Sequence, residues 1–174
     1  MSCDNPSVIK SLHCKQKAVL AYRESLLWRV KCLSRFSHRT DVMEPVRHVF
    51  LIEDNAGDIL LIRQVLEALP IPIRLHVARD GDQALFMLAE GLFEPELIVL
   101  DLNLPKVSGS WFLAQSKPQV PVVVFSSSSN TREIRKVLEL GAKAFVEKST
   151  DIEEYAGQVS QIINEWLPSG FAAA

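Results

Sequence analysis

The chain has 174 residues, 48% hydrophobic and 23% charged, which is enough to bury one core and leaves little room for a second domain. Its net charge of -2 hides an asymmetry: residues 1–42 carry +5, and residues 43–174 carry -7. An acidic body argues against non-specific nucleic-acid binding, which needs Lys and Arg on the binding face. The cysteines, Cys3, Cys14 and Cys32, all lie in the basic segment, so no disulfide framework supports the body. No run reaches the ~18 apolar residues of a membrane span. Asp4 precedes any basic residue and Arg23-Glu24 interrupt the early apolar stretch, so a secretory signal is not expected either. The cytoplasm is the expected compartment.

Residues 1–42 form a basic N-terminal extension. Val19, Tyr22, Leu26, Val30 and Leu33 recur at helical spacing and predict a helix from about Val8 to Phe36 that would dock on a partner, a second copy or an anionic membrane. The competing reading is a tail with no fixed role, or residues upstream of the true start, because Met43 stands where a compact domain could begin. His13 and His38 have no metal-ligand spacing with the cysteines.

The body then alternates. His48 to Ile52 is an apolar strand ending in Glu53-Asp54-Asn55, and Asn55 caps a helix to about Leu69 with Ile59, Ile62, Val65 and Leu66 on one face. Pro70 and Pro72 stop it, and Ile73 to Ala78 reads as a strand. Asp80-Gly-Asp82 opens a helix with Ala84, Leu85, Leu88 and Ala89 facing the core, closed at Gly91. The stretch Ile98 to Pro105 opens with a buried apolar strand that ends in Asp101, followed by a loop closed by Leu104-Pro105. A short helix follows from about Ser108 to Gln115, trimmed by Pro118, and places Trp111 near the end of that strand. Val120 to Phe125 is the next strand, ending in Ser126 to Ser129. A helix from Asn130 or Thr131 to about Leu140, a last strand Ala144 to Glu147 leading to Lys148, and a helix from about Asp151 to Trp166 complete the chain. Strict alternation implies an α/β fold, a doubly wound five-stranded parallel sheet with right-handed crossovers.

Parallel strands end at one edge, so Glu53, Asp54, Asp101, Ser126 and Lys148 should meet there. Clustered carboxylates raise one another's pKa unless a cation shares the site. Mg2+, which accepts one or two carboxylates and keeps its waters, suits a shallow acidic pocket. A cation, a lysine, a hydroxyl and a carboxylate nucleophile together point to phosphoryl transfer onto Asp101.

These residues closely resemble the receiver domain of two-component response regulators: Glu53-Asp54-Asn55, Asp101-Leu-Asn-Leu-Pro105 with Ser108-Gly109, Pro121 to Ser126, and Gly141 to Lys148. The likeness covers about Arg47 to Leu167. It is nearest to stand-alone receivers that serve phytochrome-type sensor kinases, on the stretches Ile52 to Ile59 and Leu102 to Lys106. The resemblance implies a flavodoxin-like sheet in the order 2-1-3-4-5, and a receiver domain over residues 43–174. It makes Asp101 the phosphoacceptor of a sensor histidine kinase. Asp54 and Asp101 would bind Mg2+ directly, Glu53 through water and Asn103 through its main-chain carbonyl. Lys148 and Ser126 would hold the phosphoryl oxygens, and Phe145 would stand at the aromatic switch position.

The resemblance thus implies a single-domain response regulator that signals through protein contacts and is not an enzyme in the turnover sense. Its partners would be the kinase, an unknown downstream protein and, as a family-level expectation, a second copy, with neither DNA binding nor a membrane span. Two departures matter. Ser126 replaces the commoner threonine but keeps its hydroxyl. Ser149 stands where the family usually has proline, and this is the one feature that favours the alternative, a phosphorylation-independent pseudo-receiver. An enzyme on the same fold lacks a general acid two residues beyond Asp101, where Asn103 stands.

Overall fold

The computed structural model describes residues 45–167. The helix expected over residues 8–36 lies outside them. Ten elements alternate: β1 Arg47–Ile52, α1 Ala56–Ala68, β2 Ile73–Ala78, α2 Gly81–Ala89, β3 Leu97–Leu100, α3 Gly109–Ser116, β4 Val122–Ser126, α4 Thr131–Glu139, β5 Ala144–Glu147 and α5 Ile152–Trp166. Every strand pair is parallel and the order is β2-β1-β3-β4-β5, as the alternation and the resemblance imply.

The three central strands, β1, β3 and β4, are covered on both faces, which is why they read as unbroken apolar runs. Alternate residues serve two cores. Val49, Leu51, Leu97, Val99, Val123 and Phe125 pack with α1 and α5. Phe50, Ile52, Ile98, Leu100, Val122 and Val124 pack with α2, α3 and α4. α1 buries Ile59, Ile62, Val65 and Leu66 as its spacing predicts, and Leu61 as well. On α2 only Ala84 of the expected four is fully buried. Leu85 and Leu88 are half-buried, and Ala89, in the last turn, is exposed rather than core-facing.

Side-chain caps fix where each helix starts. Asn55 Oδ1 accepts from the main chain of Gly57 and Asp58, and Asp80, Ser108, Asn130 and Asp151 do the same for the other four helices. β4 begins after Pro121, two residues later than its apolar run suggests, since proline offers no N–H to the ladder. α3 has eight residues and ends at Lys117, whose φ of 41° is left-handed, just before Pro118.

Candidate functional site

Three of the five strands hand the residue that follows them to the site through one more main-chain bond. Glu53 N donates to Ala78 O at 2.9 Å, Asp101 N to Ile52 O at 3.0 Å and Lys148 N to Ser126 O at 2.9 Å. The ladder thus extends one step beyond β1, β3 and β5, and their terminal side chains are aimed by the sheet itself. They open into a cavity of about 530 Å³ lined by Glu53, Asp54, Asp58, Asp101, Asn103 and Lys148, with Tyr155 at its wall. Ser126 is fully buried at the end of β4, and its neighbour Ser127 reaches the cavity.

Lys148 organises the site. Its Nζ donates to Glu53 Oε2 at 2.5 Å, to Asp58 Oδ2 at 3.0 Å and to Asp101 Oδ2 at 3.0 Å, and lies 5.7 Å from the centre of the Phe125 ring. An ammonium has three donors, and all three are engaged. Burial alone would lower its pKa, yet the charges of Glu53 and Asp101, and then Asp58, carry it above the ordinary value. The protein's own cation therefore shares the site with the carboxylates. Glu53 goes the other way: burial pushes its carboxyl up to about 7 despite the opposing pull of Lys148.

Glu53, Asp54 and Asp101 each offer an oxygen, and these oxygens lie within 4.8 Å of one another. Such an all-oxygen set suits a hard divalent cation. Glu53 and Asp101 are buried whereas Asp54 is exposed, which leaves an open approach from solvent. Asp101 Oδ1 accepts from Asn103 N at 3.1 Å, and Asn103 Nδ2 reaches Ser126 Oγ at 3.4 Å. Ser126 Oγ also accepts from Ser128 N at 3.4 Å, so its own proton remains to be donated.

Two small features shape the loops. A Cβ on Gly109 would stand 2.4 Å from Asp101 O, so only glycine lets α3 approach the strand end this closely. The Lys148–Ser149 loop is held without proline: Gln158 on α5 donates to Glu147 O at 2.9 Å and accepts from Ser149 N at 3.0 Å, gripping both sides of Lys148.

Phe145 is half-buried on β5 and packs against the core that includes Val122 and Val124. Trp111, expected near the site, is exposed on α3 and does not line the cavity. Two residues that do line it carry no signature at a strand end. Asp58 sits on the first turn of α1, and Tyr155 is on the buried face of α5. Asp58 has a local signal, since it follows the N-cap by three residues and so shares the rim with Glu53 and Asp54. Tyr155 has none, because an aromatic on an apolar helix face reads as packing.

Among the described residues no helix is long and apolar enough to cross a membrane. The response regulator receiver domain family matches residues 49–160. The response regulator Rcp1 of Synechocystis sp. is 33% identical over 138 residues, covering 74% of this chain and 94% of Rcp1. Its Mn2+-bound crystal structure superposes with a TM-score of 0.66 at 32% identity, covering 71% of this chain and 96% of that one. The phosphorylated cyanobacterial phytochrome response regulator RcpA also gives 0.66, at 34% identity and the same coverage. A protein-glutamate methylesterase of Myxococcus xanthus is 33% identical, but only 29% of its length is matched. With its parallel sheet in receiver order and its acidic edge, this chain belongs to the response regulator receiver domain family.

Proposed function

We propose that this protein is a single-domain response regulator that accepts a phosphoryl group on Asp101 from a phosphohistidine of a sensor kinase in the cytoplasm, and signals through protein contacts. The observation that carries the reading is the placement of the Lys148 ammonium 3.0 Å from the Asp101 carboxylate, in a cavity also lined by Glu53 and Asp54. An Asp101 oxygen attacks phosphorus as the phosphorus–nitrogen bond breaks, and the imidazole nitrogen keeps the electron pair. Lys148 turns from carboxylate to phosphoryl oxygen, and Ser126 donates its hydroxyl proton to another. Asp54, Asp101 and the Asn103 carbonyl would hold Mg2+ directly and Glu53 through water, and the bound ion would supply the remaining neutralisation of the phosphoryl oxygens.

Drawing Ser126 toward the phosphoryl group vacates space beside β4, into which the Phe145 ring can turn. This couples the new charge to the surface of α4, β5 and α5. The likeness to Rcp1 and RcpA supports a phytochrome-type kinase as the donor and a surface read by a downstream protein or by a second copy.

Incubation with a small phosphodonor and Mg2+, followed by intact mass, tests the reading. The wild type gains one phosphoryl mass and Asp101→Asn gains none. A wild type that gains nothing, or an Asp101→Asn variant that gains as much, overturns it. The first of these outcomes is what a pseudo-receiver gives.

A further inference from the structure

Two groups in the acidic cavity are used neither by the phosphoryl chemistry nor by the proposed metal ligands. One is Asp58, which takes one of the three Lys148 donors at 3.0 Å. The other is Tyr155, whose hydroxyl is the one buried side-chain polar atom among the described residues without a hydrogen-bond partner. Tyr155 is only 4% exposed, yet it lines the same cavity as Asp58. Its ring is seated against Phe125 at 4.9 Å, and Phe125 in turn lies under Lys148. Burial raises the phenol's pKa, and of the surrounding charges Asp58 contributes most. The phenol is thus an unused donor in the same cavity as a carboxylate that is already occupied by a lysine.

One Lys148 donor already sits on Asp101 and can pass to a phosphoryl group there, but a second phosphoryl contact draws a donor from Glu53 or Asp58. Glu53 is 1% exposed and also accepts from Asn55 N at 3.0 Å, which fixes it in place. Asp58 is the more exposed of the two, so it is the one that can release the ammonium at least cost.

Resting on the receiver reading, we propose that Asp58 and Tyr155 are a positioning pair for Lys148: Asp58 shares the ammonium while Asp101 is free, and accepts from the Tyr155 hydroxyl instead once Lys148 turns to the phosphoryl group. Two partners then exchange, and no buried group is stranded in the phosphorylated state. The exchange also ties α1 to α5 across the cavity, so the final helix senses the acceptor directly as well as through β5.

A double-mutant cycle in the full chain tests this, with Tyr155→Phe and Asp58→Ala, singly and together. Phe keeps the ring packing, and Ala removes every side-chain oxygen that could accept from the phenol while suiting the first turn of α1, so both are expected to fold. The readout is the apparent affinity for beryllofluoride, a phosphoryl mimic, in the presence of Mg2+, followed by fluorine NMR. Asp58→Ala removes the competitor for Lys148 and tightens binding. Tyr155→Phe weakens it about fivefold in the wild-type background, yet changes it less than about twofold when Asp58 is already Ala. A residue that merely packs gives the same factor in both backgrounds; that result, or no effect of Tyr155→Phe at all, overturns the pairing and leaves the receiver reading standing. A wild type that binds no beryllofluoride and gains no phosphoryl mass removes both.

Discussion

The two ends of the sheet treat charge differently. At the amino-terminal end Arg47 Nε meets the half-exposed Glu96 Oε2 at 2.7 Å. Next to it His76 stacks on Phe93 with ring centres 3.7 Å apart and shares a hydrogen with His48 at 3.2 Å. Burial, aided by the positive charge of its neighbours, lowers the His76 pKa and favours the neutral imidazole. At the carboxyl end one buried ammonium serves Glu53, Asp58 and Asp101, and Asp54 stands beside them without a share. The same strands supply both ends, so the fold does not require the imbalance. An excess of acidic groups over cations is confined to the end that carries Asp101, and each end makes its own prediction about removing a partner.

The largest effect is expected from Lys148→Met. It leaves Glu53, Asp58 and Asp101 facing one another with no cation, in a place where Glu53 and Asp101 are almost fully buried. Removing one partner of a buried pair strands the other, at a cost of about 3 kcal/mol. Urea unfolding at pH 7 measures it. Mg2+ should restore more stability to this variant than to the wild type, because the ion replaces the missing charge, and equal gains would break the account.

Glu53 gives the next effect, through pH. Its folded carboxyl titrates at about 7 against an ordinary value of 4.5, so between these values the folded protein holds a proton that the unfolded chain has released. The proton's contribution is complete below pH 4.5 and is lost as pH rises through 7. It amounts to something on the order of 3 kcal/mol. With chelator present, the wild type should lose more stability than Glu53→Gln between pH 5 and pH 8, roughly across that window. An unchanged difference between the two proteins would show that Glu53 is ionised throughout.

The fold is legible because each central strand is an apolar run that ends in a polar group, and each helix starts at a capping side chain. The site is legible only as far as strand ends reveal it. Glu53, Asp54, Asp101, Ser126 and Lys148 are marked by the abrupt change from apolar to reactive, and the parallel topology brings them together. Asp58 and Tyr155 come from helices, where the side-chain direction depends on how α1 and α5 settle on the sheet. The same dependence explains Trp111. One position before the buried Phe112 on α3, it turns outward although its sequence distance from Asp101 is short. Ser149 reads as a weak point of the loop, because its replacement for proline, Gln158, lies nine residues on in another element.

Glu96→Gln is the small-effect counterpart at the amino-terminal end. Its side chain is 41% exposed and one carboxylate oxygen accepts from His48 N at 3.2 Å, a bond that a Gln carbonyl can still accept. What is lost is the charge opposite Arg47 in high-dielectric surroundings, about 0.5 kcal/mol. Exposed pairs are screened once the Debye length falls to ~3 Å at about 1 M salt, so the difference from wild type should vanish there. The Lys148→Met deficit should largely survive the same NaCl, because Glu53 and Asp101 are almost fully buried and buried charges are screened much less than exposed ones. A Glu96→Gln loss as large and as salt-resistant as that of Lys148→Met would mean that both ends of the sheet bury their charges alike, and that the imbalance at Asp101 is no mark of function.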